Sequence, residues 1–411
     1  MINKIIENPM FFVVSLLLII VLFIIAFKLS KMAVSEKSDK RLILAYLIML
    51  FGIGLFSYLT KGDILPGDAH SHIGRTWLFY DSFLHDGEIP IWDNHWYCGY
   101  PIGLYYGFLY YTLSGALSLL NDDVIVTTKL LLWILHIISG IIFFYLVRFL
   151  NKSYAPAIYA SIFYVFSFQH LGSIILSGYL PLSIIFLLQP MLLLIFEMFY
   201  RYKIKLLLAV ILTATLNALL VFTHLQYGSY AVMFFYILVI SRYFLNIHRG
   251  NFVDLNRELY RKYLYFSLLL SLLFTAWFII PFIIEKKFLL ISSSNTLEML
   301  IGDLSHKRLE SILKLFHYTR YKTDWLFYYL GTIPLIVLTT GIYLNRKSKN
   351  LTIQSYAFML ILGIFLIILS PRFINILFVY ISVLLGFALN PLMHYIKKTT
   401  KIRYNVFFRS W

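Results

Sequence analysis

The stretch LYYGFLYYTLSGALSLL, residues 104–120, decides the fold of this chain. It is apolar enough to cross a bilayer, yet it also reads as an interfacial amphipathic hairpin rich in tyrosine: Tyr105, Tyr106, Tyr110 and Tyr111. Whether it crosses fixes the side of the membrane on which every later loop lies.

Outward from it, apolar runs of about 17 to 25 residues, enough to cover roughly 30 Å of hydrocarbon, recur in both directions. They lie near 9–27, 42–60, 124–147, 154–171, 180–200, 206–224, 227–245, 263–284, 325–344, 351–369 and 373–395. The chain of 411 residues is 60% hydrophobic and 13% charged, more apolar surface than a soluble core of that size can hide. The predicted fold class is therefore an all-α polytopic membrane protein of about 11 transmembrane helices. The first run, Pro9 to Phe27, is long for a signal-peptide core and lacks a small-residue cleavage pattern, so it reads as a retained helix, with cleavage as the alternative.

Charge arbitrates the topology. If 104–120 lies flat, the segments around 28–41, 148–153, 201–205, 242–262, 345–350 and 396–411 share one side and hold 23 of the 35 Lys and Arg. Only five of the 19 acids fall in or beside them: Glu36, Asp39, Glu197, Asp254 and Glu258. The positive-inside rule makes that side the cytoplasm of a multi-pass plasma-membrane protein, with the amino terminus outside and the carboxyl terminus inside. A crossing at 104–120 would split these segments between the two sides. The net charge of +16 is then a matter of topology and anionic headgroups, with no call for nucleic acid.

This layout gives two spans in 1–60, an outer loop with interfacial helices at 61–123, a six-helix core at 124–284, a second outer loop at 285–324, and three spans with a basic tail at 325–411. The second outer loop carries a helical apolar pattern through Leu297, Leu300, Ile301 and Leu304, again suited to a headgroup surface.

Chemistry is concentrated in Gly67 to Pro101, GDAHSHIGRTWLFYDSFLHDGEIPIWDNHWYCGYP. These 35 residues hold five carboxylates, four of the 11 histidines, three of the seven tryptophans and the single cysteine, Cys98, which rules out an intrachain disulfide. A helix over Ala69 to Leu84 sets Asp68, His72 and Arg75 on one face, with Ile73, Trp77, Phe79 and Phe83 towards lipid or core. An acid, an imidazole and a guanidinium can take a proton from a hydroxyl, coordinate a divalent ion or hold a phosphate. An interfacial ion pair of Asp68 with Arg75 accounts for the same residues without chemistry.

Trp92, Trp96, Tyr97 and Tyr100 suit sugar rings, and equally the aromatic belt at a lipid headgroup; for the tryptophans the belt reading is preferred. His70 and His72 point to different faces of a helix, and His85 and His95 follow at irregular spacing, which disfavours structural zinc. Asp68 could take part in an optional Mg²⁺ or Mn²⁺ site together with phosphate oxygens, so no cofactor is required. Glu197 reads as a snorkelled pair with Arg201, Gln169 and His170 as an outer turn, and Asn217, Asn375 and Asn390 as helix-to-helix hydrogen bonders. No phosphate-cradling glycine loop or Ser-His-Asp ordering stands out.

The pattern Gly67-Asp68, then His72 and Arg75, then Asp86-Gly87-Glu88-Ile89-Pro90, Trp92, Trp96-Tyr97, Gly99-Tyr100-Pro101 and the tyrosine-rich run resembles the first outer loop of the C-type membrane glycosyltransferases (GT-C). It looks closest to the multi-span proteins called 6-pyruvoyl-tetrahydropterin synthase-related, with the YfhO-like proteins as cousins. The close match covers roughly residues 66–111.

The resemblance implies a GT-C-like bundle, a polyprenyl-phosphate-linked sugar as donor, an outward-facing site, and a loop acid as general base, a position that Asp68 matches. His72 and Arg75 match polar positions of the same motif. A lipid, glycan or protein would be the acceptor. Family members commonly continue into further helices or a soluble domain, so a relative shortened in its acceptor-binding part is an expectation. In an inverting transfer the departing phosphate needs a cation: Arg372, in the short turn Ser370-Pro371-Arg372, is the foremost candidate, and His224 lines the same side. A lipid or glycan transporter or flippase, and a non-catalytic scaffold, are the alternatives.

Overall fold

The computed structural model describes residues 43–52, 67–94, 99, 101–175, 177–248, 257–285, 332–345, 350–369 and 373–409. The first expected span, 9–27, and all but the first residue of the second outer loop lie outside them, as do Trp96, Tyr97, Tyr100 and Arg372. The described chain is all-helical, without a strand. In order it runs α1 (Ile43–Gly52), α2 (Ala69–His85), α3 (Ile102–Tyr105), α4 (Leu109–Ser118), α5 (Val124–Asn151), α6 (Tyr154–Phe166), α7 (Leu182–Tyr200), α8 (Leu206–Thr223), α9 (Leu225–His248), α10 (Arg257–Glu285), α11 (Thr332–Leu344), α12 (Leu351–Leu369) and α13 (Phe373–Arg409).

Seven segments among these residues are long and apolar enough to cross a membrane: α5, α6 with its extension to Ile175, α7, α8, α9, α10 and the first half of α13. They coincide with seven of the eleven expected runs. Three of the other four, at 42–60, 325–344 and 351–369, are represented by α1, α11 and α12. The 104–120 stretch is not one rod. It breaks at Tyr106 to Phe108 into α3 and the ten-residue α4, which at about 1.5 Å per residue is half the length a crossing needs.

Helix ends follow local chemistry. The side chain of Asp123 accepts the Val126 N–H at 2.9 Å to start α5, and Lys152 ends it in the left-handed conformation (φ +55°). α6 widens into a π-helical turn at Phe168–Gly172, where the Ser167 hydroxyl accepts the His170 N–H. Within α7, Pro190 has no N–H to offer the carbonyl one turn earlier. That carbonyl, of Phe186, instead accepts the buried Tyr164 hydroxyl at 2.6 Å, which stitches α6 to α7.

The first half of α13 is the most enclosed span, packed against α6, α11 and α12. Its Phe378 stacks on Tyr164, which stacks on Phe143 of α5 at 4.2 Å. α10 is the opposite case. It buries Tyr260, Tyr263, Ser267, Ser271 and Thr275 against α8 and leaves Leu268, Leu272, Leu273, Trp277, Ile280 and Ile284 exposed, a face suited to lipid.

Polar bonds tie the helices together at named positions. Asn217 donates to Tyr236 Oη at 3.1 Å and Ser271 Oγ at 2.9 Å, joining α8, α9 and α10; Asn375 accepts from Ser173 Oγ. Asn390 is exposed instead. Glu197 does not pair with Arg201. Its carboxylate meets Arg242 Nη1 of α9 at 2.6 Å with both side chains fully buried, while Arg201 donates to the Phe149 carbonyl. Periodicity could not reveal this, because Arg242 is 45 residues away in sequence.

Candidate functional site

The expected site helix forms as α2, and its head is held by backbone. Gly67 has φ +67°, and a Cβ there would lie 2.3 Å from the Ser177 carbonyl, so only glycine brings the turn this close. Asp68 then donates its N–H to that same carbonyl at 3.0 Å. Its side chain makes no cap bond and is exposed. The turn that opens α2 is therefore docked onto the segment following the π-helical turn, with the Asp68 carboxyl group facing outward from the protein.

α2 buries Ala69, His72, Thr76 and Phe79. Gly115 of α4 permits this, since a Cβ there would sit 2.8 Å from Phe79 Cβ. Phe79 is the one member of the expected apolar face that is fully buried; Ile73 and Phe83 are half-buried and Trp77 is exposed. His72 points inward. Its Nδ1 lies 2.6 Å from Tyr111 Oη of α4, and the rings stack. Arg75 is half-buried, 4.4 Å above the Tyr106 ring, and donates to Tyr111 Oη at 3.4 Å.

His224 enters the same cluster from the α8–α9 junction. Its ring lies 5.0 Å from that of Tyr106, and its Nδ1 accepts the Tyr227 N–H at the start of α9. The α3–α4 turn is pressed onto the end of α8: a Cβ on Gly107 would lie 2.3 Å from the Thr223 carbonyl. Phe108 beside it packs on Phe222, Trp277 and Phe278. Four separate elements thus converge on Tyr106 and Tyr111.

Burial, with the Arg75 guanidinium and the His224 ring beside it, holds the His72 imidazole down at about 3, so it is neutral at physiological pH. Burial, with Tyr106 beside it, pushes the Tyr111 phenol well up. The arrangement is a relay of donors: guanidinium to phenol oxygen, phenol proton to the neutral imidazole. It fixes Arg75 beside the two tyrosine rings.

Trp92 is exposed and packs over the Gly99 backbone, where φ is +124° and a Cβ would lie 2.5 Å from the indole. Trp96, Tyr97, Tyr100 and Arg372 lie outside the described residues; Phe373, which follows Arg372, packs on Tyr230 of α9 at 4.4 Å. No three His, Cys, Asp or Glu among the described residues come together as metal ligands.

Gln169 and His170 are buried in the π-helical turn, with the His170 ring 4.5 Å from Phe186 and 5.3 Å from His136. The apolar run through 154–171 gave no sign of this pair of buried histidines, because His136 lies on a different helix. Tyr106 and Tyr111 were visible as part of an aromatic run, though not as the partners of Arg75 and His72. No family model and no curated protein matches the chain.

Proposed function

We propose that the protein is a membrane glycosyltransferase that moves a sugar from a polyprenyl-phosphate donor to a hydroxyl acceptor on the outer face. The observation that carries this reading is the pairing on one short helix of an exposed carboxyl group at its head, Asp68, with a guanidinium two turns on, Arg75, held over the Tyr106 ring and donating to Tyr111 Oη. The resemblance of residues 67–111 to the GT-C outer loop supports it.

In the proposed step the acceptor oxygen attacks the anomeric carbon from the face opposite the phosphate. Asp68 takes the hydroxyl proton as the new C–O bond forms, and the bond to the lipid phosphate breaks with its electron pair going to the phosphate oxygen. The polyprenyl phosphate leaves as an anion, which Arg75 attracts and Arg372 receives at the membrane boundary. The configuration inverts. Trp92, and beyond the described residues Trp96, Tyr97 and Tyr100, offer flat faces to the sugar. The GT-C-like arrangement of about eleven spans, with the amino terminus outside, belongs to the same proposal.

One observation favours a carrier instead: the Glu197–Arg242 pair places charge inside the spans, as ion-coupled carriers do. That pair is closed in by Ser355 and by the rings of Phe196, Tyr200 and Tyr356, which suits a structural tie better. The test is reconstitution of the purified chain in vesicles with polyprenyl-phosphate sugars. Transfer to a hydroxyl acceptor with release of polyprenyl phosphate supports the enzyme; lipid or glycan flux without transfer overturns it in favour of the carrier.

A further inference from the structure

At the end of α8 opposite its junction with α9, two turns face each other. α5 ends at Lys152 and α6 begins at Tyr154; α7 ends at Tyr200, and Arg201, Tyr202 and Lys203 lead towards α8. Lys152 and Tyr202 both have left-handed backbone, φ +55° and +53°, which pins the two turns sharply. Between them lies a cavity of about 490 Å³. Arg148, Lys152, Arg201 and Lys203 line it together with aromatic rings, and no carboxylate does.

The two arginines are held in position. The Arg148 guanidinium lies 4.1 Å over the Tyr154 ring, and its Nε is buried without a hydrogen-bond partner among the described residues. Arg201 lies 5.0 Å over the Phe149 ring and donates one Nη1 proton to the Phe149 carbonyl. The nearest acid in sequence, Glu197, is engaged with Arg242. Four cations around one cavity repel one another unless an anion enters. Arginine forks match phosphate oxygens in pairs and lysines add point charge, while the aromatic walls suit the carbon attached to the phosphate.

We propose that this cavity is a phosphate site, taking the phosphate of an anionic phospholipid headgroup or of a free phosphate ester. It stands independently of the transferase reading, since none of its residues belongs to the candidate site.

The experiment measures thermal unfolding of the purified full chain in neutral detergent. It is titrated with short-chain phosphatidic acid, phosphatidylcholine and glycerol phosphate. Saturable stabilisation by phosphatidic acid alone identifies a lipid headgroup as the source; equal stabilisation by glycerol phosphate identifies a free ester. Lys152 and Lys203 are both exposed, so Lys152→Gln with Lys203→Gln should fold normally and weaken binding by about ten-fold or more. Arg148→Gln should weaken it further, and Arg148→Lys should restore only part. Lys262→Gln, an exposed cation of α10 paired with Glu258, should change affinity less than two-fold. The proposal is overturned if neither phosphate compound stabilises saturably, if phosphatidylcholine does so equally, or if the lysine double variant binds as the wild type does.

Discussion

His72 Nδ1 lies 2.6 Å from Tyr111 Oη, joining α2 to α4 across 39 residues of sequence with both side chains buried. The bond gives the Asp68 helix a fixed partner, and Arg75 shares the same phenol oxygen. Tyr111→Phe should leave the neutral imidazole without its partner and destabilise the fold by about 1–3 kcal/mol. Thermal unfolding of the purified variant measures it.

The same residue predicts a pH dependence. The folded imidazole titrates at about 3, below its ordinary 6.5. The stability it contributes is therefore full above pH 6.5 and is lost as the pH falls towards 3, at about 1.4 kcal/mol per pH unit. Wild type and His72→Gln should differ by a constant amount above pH 6.5, and wild type should lose stability relative to the variant as the pH falls from there. Parallel curves over the whole range would contradict the buried neutral imidazole.

Gly67 and Gly87 both have positive φ, +67° and +70°, yet only at Gly67 would a Cβ meet backbone; at Gly87 it meets nothing within 4 Å. Alanine at either costs about 1 kcal/mol for conformation, and Gly67→Ala adds a clash worth about 1–3 kcal/mol more. The difference between the two variants in unfolding midpoint reports the docking of the Asp68 turn on Ser177.

The Glu197–Arg242 pair has a separate signature. Glu197→Ala strands a buried guanidinium and should cost about 3–5 kcal/mol, whereas replacing both partners by apolar residues of similar volume should recover most of that. Unfolding measurements on the single and double variants decide it.

Much of the bundle was legible because apolar run length is a direct consequence of hydrocarbon thickness; seven runs reappear as long helices with small shifts at their ends. Asn217 was readable as a helix-bridging residue for the same reason, since lipid offers an amide no water. The site was legible only as composition. Sequence spacing set His72 beside Asp68 on a polar face, but Gly115 lets α4 approach so closely that the imidazole turns inward to Tyr111. The pairing of Glu197 with Arg242 and the meeting of His136 with His170 depend on which helices become neighbours, which no single helix pattern encodes.

Topology is open to a direct check. In a Cys98→Ser background, Glu88→Cys should react on intact cells with a membrane-impermeant thiol reagent, and Lys203→Cys should react only after the membrane is opened. Both positions are exposed, so burial cannot mimic the result. Labelling in the reverse order would place the Asp68 turn in the cytoplasm and remove the outer-face transfer.

The most direct test of the transferase account is the rate of sugar transfer by Asp68→Asn in reconstituted vesicles, measured alongside binding of the polyprenyl-phosphate donor. The account predicts transfer lower by about 10² to 10⁴ with donor affinity unchanged, since a general base acts on the acceptor proton and not on the donor. An Asp68→Asn protein that transfers sugar at the wild-type rate would contradict it.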